Sequence, residues 1–266
     1  AAPLKTPVHL AFSYDEEVGC LGVHDLAAGI AALPVRPKLC IVGEPTLMKP
    51  ITGHKGICDF RCHVAGREAH SSLAPYAVNA VEAAAELVAY TRQVARRLSS
   101  EGPFNTQFDP PFTTMQTGMF HGGTAVNIVP NNCDVAFDIR ALPGVDVEAL
   151  MEEIRQHAFR VIEPRMKDID PTTGFTFRTA AQVSAFDIAR DHPAVALVRA
   201  LSGADSTEKV RFATGAGICH AHGIPTVVCG PGSIAQAHKP NEFISREQMI
   251  ACGHFLDRLC GKLATE

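Results

Sequence analysis

The sequence has 266 residues, of which 46% are hydrophobic and 20% charged, and 24 Lys and Arg against 28 Asp and Glu give a net charge of −4. This composition is too apolar for a disordered chain, and the charge lacks the positive excess that binding to a phosphate backbone requires. No apolar run approaches the roughly 20 residues that span a bilayer, and nine scattered cysteines are typical of a reduced, cytoplasmic protein, so we expect neither a membrane segment nor a nucleic-acid partner.

The first elements along the chain alternate between strand and helix. Residues 8–14 form an apolar run that predicts a buried strand. An Ala-rich helix follows to about residue 32, and residues 39–43 predict a second short strand. Such an order is typical of a βαβ unit in a parallel sheet, where ligands bind at the carboxyl ends of the strands. We therefore expect the functional site at that edge.

The pattern changes near residue 55. Four stretches with two-residue alternation are predicted strands: 56–65, 112–120, 133–140 and 175–183. Two amphipathic helices are predicted to begin at the caps Asn79 and Asp146. The order strand, helix, strand, strand, helix, strand is that of a ferredoxin-like α+β domain.

The remainder of the chain returns to an α/β pattern. The predicted elements are a helix capped by Asp191 and ending at Leu201, strands at 210–213 and 225–230, and a last helix opened by the capping box Ser245 and Gln248. We therefore predict an α/β fold with a parallel-sheet catalytic domain, formed by residues 1–54 and 186–266. An inserted ferredoxin-like α+β domain, residues 55–185, interrupts it; its expected role as lid and dimerisation domain is implied only by the family resemblance described below.

Acidic residues follow the first two predicted strands. The triplet 15–17 (Asp-Glu-Glu) comes directly after the first strand, and Glu44 follows the second. Carboxylates gathered at one sheet edge need a cation, and neighbouring acids there serve as metal ligand and general base. His238, in a loop after a Gly-Pro-Gly turn, adds an imidazole, which completes the ligand mix expected for catalytic zinc. The alternative for the triplet is a helix N-terminus, where acids complement the helix dipole.

Other histidines and cysteines are weaker candidates. Cys58 and Cys62 share one face of a strand, which indicates a core position; a zinc pair is the alternative. His220 and His222 precede a glycine at a predicted helix end, where histidine suits the dipole; a metal site is the alternative. Cys20 as a nucleophile lacks an oxyanion loop or an acidic partner in the sequence.

Five blocks together resemble the dinuclear zinc amidohydrolases, a family that includes acetylornithine deacetylase, succinyl-diaminopimelate desuccinylase and aminoacylase. In chain order the blocks are SYDEEVGCLG, IVGEPT, REAHSSLAPYAVNAVEAA, GGTAVNIVPNNCDVAFDIR and GPGSIAQAHKPNE. The resemblance covers nearly the whole chain, and the closing block is most similar to that of the acetylornithine deacetylases.

The resemblance implies a role for eight residues. They are Glu16 as general base, Glu17, Glu44 and His238 as metal ligands, His70 as an oxyanion donor that reaches across a dimer, and Asn127, Arg140 and Gly232 in substrate binding. Three of these residues have plain structural alternatives. Asn127 would then cap a turn, Arg140 would lie at a surface strand end, and His70 would be a loop residue with a backbone partner.

The resemblance also implies an activity. We expect hydrolysis of the acetyl amide of N-acetylornithine, a step of arginine biosynthesis, by a homodimer with two zinc ions per site, for which cobalt can substitute. The alternatives are a related desuccinylase, aminoacylase or dipeptidase, or a non-catalytic dimerising module.

Two departures qualify this expectation. A His-x-Asp motif and a metal-bridging Asp have no counterpart here, and we expect them on the order of a hundred residues upstream. The chain alone is therefore expected to be inactive. Gly215 also stands where the deacetylases usually carry the acid of Thr-Glu-Ala-Gly.

Overall fold

A computed structural model describes residues 3–265; residues 1, 2 and 266, at the outer ends of two predicted domain segments, lie outside the described part. The strands are β1 (Cys40–Val42), β2 (Ile51–His54), β3 (Gly56–Ala65), β4 (Ala69–His70), β5 (Thr114–Gly122), β6 (Ile128–Val129), β7 (Asn132–Ala141), β8 (Gly174–Val183), β9 (Phe186–Asp187), β10 (Glu208–Val210) and β11 (Thr226–Val228). The α-helices are α1 (Leu21–Ala31), α2 (Ala80–Glu101), α3 (Val147–His157), α4 (Glu163–Lys167), α5 (Pro193–Ser202), α6 (Ala216–Ala221) and α7 (Arg246–Thr265).

The chain divides into two compact units. We call Gly56–Gln182 the inserted unit, and residues 3–55 together with 183–265 the outer unit. The inserted unit contains all four strands and both helices of the predicted ferredoxin-like order. Each unit has its own hydrophobic core.

The inserted unit is built on a four-stranded sheet in the order β5-β7-β3-β8, in which β5–β7 and β7–β3 are antiparallel. β3 and β7 pair residue by residue from Gly56 opposite Ala141 to Ala65 opposite Asn132. Every second side chain of β3 is buried, and these include Cys58 and Cys62, which confirms their predicted core position. The first and third strands of the βαββαβ order, β3 and β7, lie side by side in the centre, and the last strand, β8, lies at the edge next to β3, as a ferredoxin-like fold requires.

The helices of the inserted unit begin where their caps predict. The Asn79 side chain accepts hydrogen bonds from the backbone N–H groups of Val81 and Glu82, at 3.0 and 3.2 Å. Asp146 accepts from the N–H of Ala149 at 3.0 Å. Both caps satisfy amide groups that the first helical turn leaves without a partner.

The outer unit contains a mixed sheet in the order β1-β11-β2-β10, with β9 on β2. β1 pairs with β11 and β2 with β10 in parallel, as the α/β pattern predicts. β2 is antiparallel to both β11 and β9, so the sheet contains antiparallel pairs beside the expected parallel ones. The difference arises because β2, β9 and β10 have two to four residues each, too few for a periodic signal.

The prediction of a buried strand at residues 8–14 is wrong. Within the described chain no strand includes these residues, and the exposed fractions of Leu10 and Phe12 are 80% and 84%. The backbone is held at both ends, since the N–H of Thr6 donates to Leu263 O at 3.3 Å and the N–H of Gly22 to Tyr14 O at 3.2 Å. No neighbouring strand pairs with the segment, so its apolar side chains are not buried.

Two further boundaries differ from the prediction. The helix expected after Asp191 begins at Pro193, and its cap is His192, whose Nδ1 accepts from the N–H of Ala194 at 3.1 Å. Proline favours the first helical position because its missing N–H needs no partner there. The strand expected at 210–213 ends at Val210.

No helix among residues 3–265 is long and apolar enough to cross a membrane.

Candidate active site

The carboxyl ends of β1 and β11 are joined by a network of backbone hydrogen bonds around Gly230. The Gly230 carbonyl accepts from the N–H groups of Thr46 and Met48, at 3.1 and 3.0 Å, and the Gly230 N–H donates to the Thr46 hydroxyl at 3.1 Å. A Cβ at position 230 would lie 2.3 Å from the Gly43 carbonyl oxygen and 2.5 Å from that of Glu44. Only glycine allows this approach, which holds the Glu44 loop against β11.

The acidic triplet lies in a tight turn that leads into α1. Asp15 and Cys20 adopt left-handed backbone conformations, with φ of 53° and 58°. The N–H of Cys20 donates to the Glu16 carbonyl at 2.9 Å, and that of Leu21 to the Asp15 carbonyl at 3.2 Å. Non-glycine residues with positive φ store strain of order 1–3 kcal/mol each and cluster at functional sites.

The Cys20 thiol donates a hydrogen bond to Oε1 of Glu16 at 3.3 Å. Burial raises the pKa of Cys20 to about 12, with further contributions from the hydrogen bond to Glu16 and the negative charges of Glu16, Glu44 and Glu17. A thiol with such a pKa stays protonated at neutral pH, which disfavours the thiolate nucleophile considered above. The contact was not predicted, although Cys20 lies four residues after Glu16.

Glu17 and His238 lie in direct contact. Nε2 of His238 is 3.2 Å from Oε2 of Glu17, and both side chains are about three-quarters exposed, at 77% and 74%. His238 itself has a left-handed backbone (φ 61°), and its N–H donates to Oε2 of Glu242 at 3.3 Å. The loop therefore brings the predicted imidazole ligand to one of the predicted carboxylate ligands.

Glu44 lies close enough to the acidic triplet for its charge to be affected. Partial burial raises the pKa of the Glu44 carboxyl, and the negative charges of Glu16 and Glu17 raise it further. A cation held between these carboxylates would offset both effects, because it favours the ionised form. Glu44 therefore lies within electrostatic range of Glu16 and Glu17.

The predicted ligands do not form a complete metal site on their own. Among residues 3–265, no group of three or more His, Cys, Asp or Glu side chains has the arrangement to hold a metal ion. The donor types of Glu17, Glu44 and His238 are those that zinc takes, but their number and arrangement fall short of a closed coordination shell. The pairs Cys58 and Cys62, and His220 and His222, form no such group either.

Gly232 has a left-handed backbone (φ 89°), which suits glycine. Its N–H donates to the side-chain oxygen of Gln248 at 3.1 Å, and its carbonyl accepts from the N–H of Leu47 at 2.7 Å. Of the two hydrogen bonds of the predicted capping box, only the one to the Ser245 side chain forms. Ser245 caps α7 by accepting from the N–H of Gln248 at 3.3 Å, while the Gln248 side chain turns to the loop. A substrate contact to the Gly232 N–H would have to displace Gln248.

In the inserted unit, a short ribbon brings together two other predicted site residues. β4 and β6 pair His70 with Ile128, and the N–H of Ser71 donates to the Asn127 carbonyl at 2.9 Å. His70 also caps the 3-10 helix Ser71–Tyr76, where its Nδ1 accepts from the N–H of Ser72 at 3.2 Å. The ribbon was not predicted, because strands of two residues carry no periodicity.

Arg140 lies on β7, where it faces Ile57 of β3 and Thr114 of β5. Its Nε donates to both carboxylate oxygens of Asp138, at 2.9 and 3.1 Å, and its side chain is 37% exposed. The residue is therefore in a strand and already paired through one of its three nitrogens. The guanidinium retains donors on its other two nitrogens.

Comparison with protein families gives one match, which covers the last residues of the outer unit's first segment and most of the inserted unit. Residues 52–163 match the family model described as a peptidase dimerisation domain.

Two curated relatives show how much of a longer protein the chain resembles. The chain is 32% identical over 245 residues to the acetylornithine deacetylase of Aliivibrio salmonicida, and the aligned region covers 90% of this chain and 60% of that protein. It is 32% identical over 268 residues to the acetylornithine deacetylase of Pasteurella multocida, which covers 98% of this chain and 66% of that protein. The chain thus spans about 60% of the length of the first of these relatives.

Solved structures of low sequence identity share the fold. The aminopeptidase PepT of Bacillus cereus aligns with a TM-score of 0.70 at 20% identity, over 95% of this chain and 63% of that chain. Human carnosine dipeptidase 1 aligns with a TM-score of 0.63 at 13% identity, over 94% of this chain and 65% of that chain. These likenesses, together with the sheet topologies, confirm the predicted fold class.

Proposed function

The chain belongs to the family of amidohydrolases and peptidases that share this dimerisation domain, and on this premise we propose that the intact protein is a metal-dependent amidohydrolase. The observation that carries the proposal is the contact between His238 and Glu17, and the effect of the Glu16 and Glu17 charges on the pKa of Glu44 supports it. N-acetylornithine is the substrate to test first, because the named relatives are acetylornithine deacetylases. Its hydrolysis would yield acetate and ornithine, as in arginine biosynthesis.

Glu17, Glu44 and His238 would hold the metal together with ligands from the rest of the intact protein. Zinc is the proposed ion, two per site, with cobalt as a substitute, since carboxylate and imidazole donors suit both. When bound, such an ion acidifies a water and polarises the acyl carbonyl.

Glu16 would act as the general base. Its Oε1 is held by the Cys20 thiol, which leaves Oε2 to take a proton from the attacking water. The C–N bond of the amide then breaks, and Glu16 returns the proton to the leaving amine. Asn127 and the free donors of Arg140 would bind the substrate, the latter through its α-carboxylate. Gly232 would line the substrate loop.

The proposed assembly is a homodimer formed through the inserted unit. In this dimer, His70 of each subunit would reach the active site of the partner subunit. The family match to a dimerisation domain supports this arrangement. β5 lies at one edge of the sheet and exposes Met119 and Phe120, at 48% and 39%. Exposed strand edges pair readily with other strands. Sedimentation of the wild type should give the mass of two chains, and Phe120→Glu should shift it toward one.

The decisive experiment compares acetyl, succinyl and peptide amides as substrates of the intact protein, with bound metal measured in parallel. Glu16→Gln should lower kcat by about 10² to 10⁴ with metal retained, whereas Glu17→Gln should lose metal as well. Glu82→Gln, on an exposed face of α2, is the matched control. A fully active Glu16→Gln enzyme would contradict the proposal.

The 266-residue chain by itself should bind zinc weakly and show no turnover, because the donors among residues 3–265 do not complete a metal site. Elemental analysis and an acetylornithine assay test this directly. Robust hydrolysis by this chain would refute the expectation and would require a different ligand set.

A further inference from the structure

His70 is held in place by its backbone while its ring stays exposed. The residue ends β4, pairs with Ile128 of β6 and caps the following 3-10 helix. Its backbone is extended, with φ −61° and ψ 140°, so the helix begins directly after it. The ring is thereby placed at the start of a rigid turn.

Two donors of one residue reach the same nitrogen of this ring. The backbone N–H of Ser72 lies 3.2 Å from Nδ1 of His70, and the Ser72 hydroxyl oxygen lies 2.8 Å from it. A backbone N–H can only donate, so Nδ1 of the neutral ring has to be the acceptor. The proton of neutral His70 is then on Nε2, for which no hydrogen bond within residues 3–265 is found.

We propose that Ser72 is a positioning residue, which fixes His70 as the Nε2–H tautomer and turns that N–H outward as a hydrogen-bond donor. The inference rests on the proposed function in one respect, namely that the Nε2–H meets the acyl oxygen of the substrate as negative charge develops there. A ring protonated on Nδ1 would present a lone pair to that oxygen and repel it. Ser72 touches no reacting atom and acts through His70 alone.

The outer unit contains a matched reference for this arrangement. His192 caps α5 in the same way, and its Nδ1 accepts from the N–H of Ala194 at 3.1 Å. The residue two positions after His192 is alanine, so the hydroxyl is missing. Ser72→Ala converts the His70 turn into the His192 arrangement, and the difference isolates the hydroxyl.

The test uses ¹⁵N NMR of the imidazole nitrogens in the 266-residue chain, at a pH where the rings are neutral. In the wild type, Nδ1 of His70 should have the shift of an acceptor and Nε2 that of a protonated nitrogen. Ser72→Ala keeps the backbone N–H donor and loses only the hydroxyl, so it should move both signals part of the way toward tautomer-averaged values, to the position of the His192 signals; Ser72→Thr should restore them, and His192 should stay unchanged. Wild-type signals in Ser72→Ala, or a proton on Nδ1 in the wild type, would overturn the proposal.

Kinetics of the intact protein provide the second readout. Loss of one hydrogen bond to the ring should lower kcat about three- to tenfold in Ser72→Ala with KM nearly unchanged, and Ser72→Thr should recover it. Altered NMR signals with wild-type kcat would overturn the catalytic consequence. A His70→Ala enzyme with full activity would instead contradict the proposed function, so the two failures are distinguishable.

Discussion

The two units of this protein differ in how regularly buried and exposed side chains alternate along the chain. In the inserted unit, β3 and β7 pair along ten residues each, and buried side chains alternate with partly or fully exposed ones without a break. The sheet of the outer unit has strands of two to four residues, and residues 8–14 alternate just as clearly yet stay exposed. Alternation therefore marks a strand only where a partner strand supplies the ladder hydrogen bonds.

The largest effect that would test this comparison is expected in the core of the inserted unit. Phe60 is fully buried, with its ring stacked on Phe177 at 5.2 Å and tilted toward Phe137 at 6.2 Å. Phe60→Ala should lower the free energy of unfolding by about 3–5 kcal/mol, because a cavity remains. Phe12→Ala, in the exposed segment, should change it by less than about 0.5 kcal/mol. Urea unfolding followed by circular dichroism measures both, and equal effects would break the comparison.

The outer unit should be the more sensitive to acid, because it contains a fully buried histidine. Nδ1 of His54 donates to the Lys55 carbonyl at 2.8 Å, and Nε2 accepts from the N–H of Thr214 at 3.2 Å, so the ring is neutral. Burial lowers the pKa of His54 to about 4 from 6.5. Below pH 6.5 the unfolded chain takes up a proton that the folded chain refuses, so stability should fall between those two pH values.

The total loss from His54 should be about 3 kcal/mol, at 1.36 kcal/mol per pKa unit. The measurement is the free energy of unfolding from pH 7.5 down to 3.5 in wild type and in His54→Gln, which has no titrating group at this position. The difference between the two curves should appear below about pH 6.5 and level off near pH 4. Parallel curves would show that His54 does not cause the acid sensitivity.

A smaller effect is expected at the glycine that joins the Glu44 loop to β11. Gly230→Ala should cost about 1–3 kcal/mol, because its Cβ would meet two backbone oxygens that have to shift. Gly253→Ala in α7 meets nothing within 4 Å and should stabilise the helix by up to about 1 kcal/mol. Thermal unfolding distinguishes the two. Stabilisation by both substitutions would show that the loop is looser than the network indicates.

The smallest effects should be those of surface ion pairs, in which the two units are expected to behave alike. Lys49 and Glu208 of the outer unit are 2.8 Å apart and about half exposed, and Arg97 and Glu153 of the inserted unit are 2.6 Å apart. Double-mutant cycles should give less than about 1 kcal/mol for each pair. Both couplings should weaken at high salt. A strong coupling in only one unit would point to a difference beyond the core.

The site shows the same division between local pattern and long-range contact. Glu16, Glu17 and Glu44 could be singled out from the sequence because acids directly after apolar runs are a local signal, although only the run before Glu44 contains a strand. The thiol of Cys20 on Glu16 and the hydroxyl of Ser72 on His70 carry no such signal beyond their spacing of four and two residues. Side-chain hydrogen bonds of this kind depend on the turn conformation, which the sequence alone does not specify.

The sequence by itself determined the local features of this protein. The faces of β3 and β7 and the starts of α2 and α3 follow from side chains a few residues apart, because alternation and capping are interactions along one segment. Only the tertiary structure decided that residues 8–14 lack a partner, that β2 runs antiparallel to β11, and that Glu17 meets His238. Those outcomes depend on segments far apart in the chain, and their contacts are selected by packing that no single segment encodes.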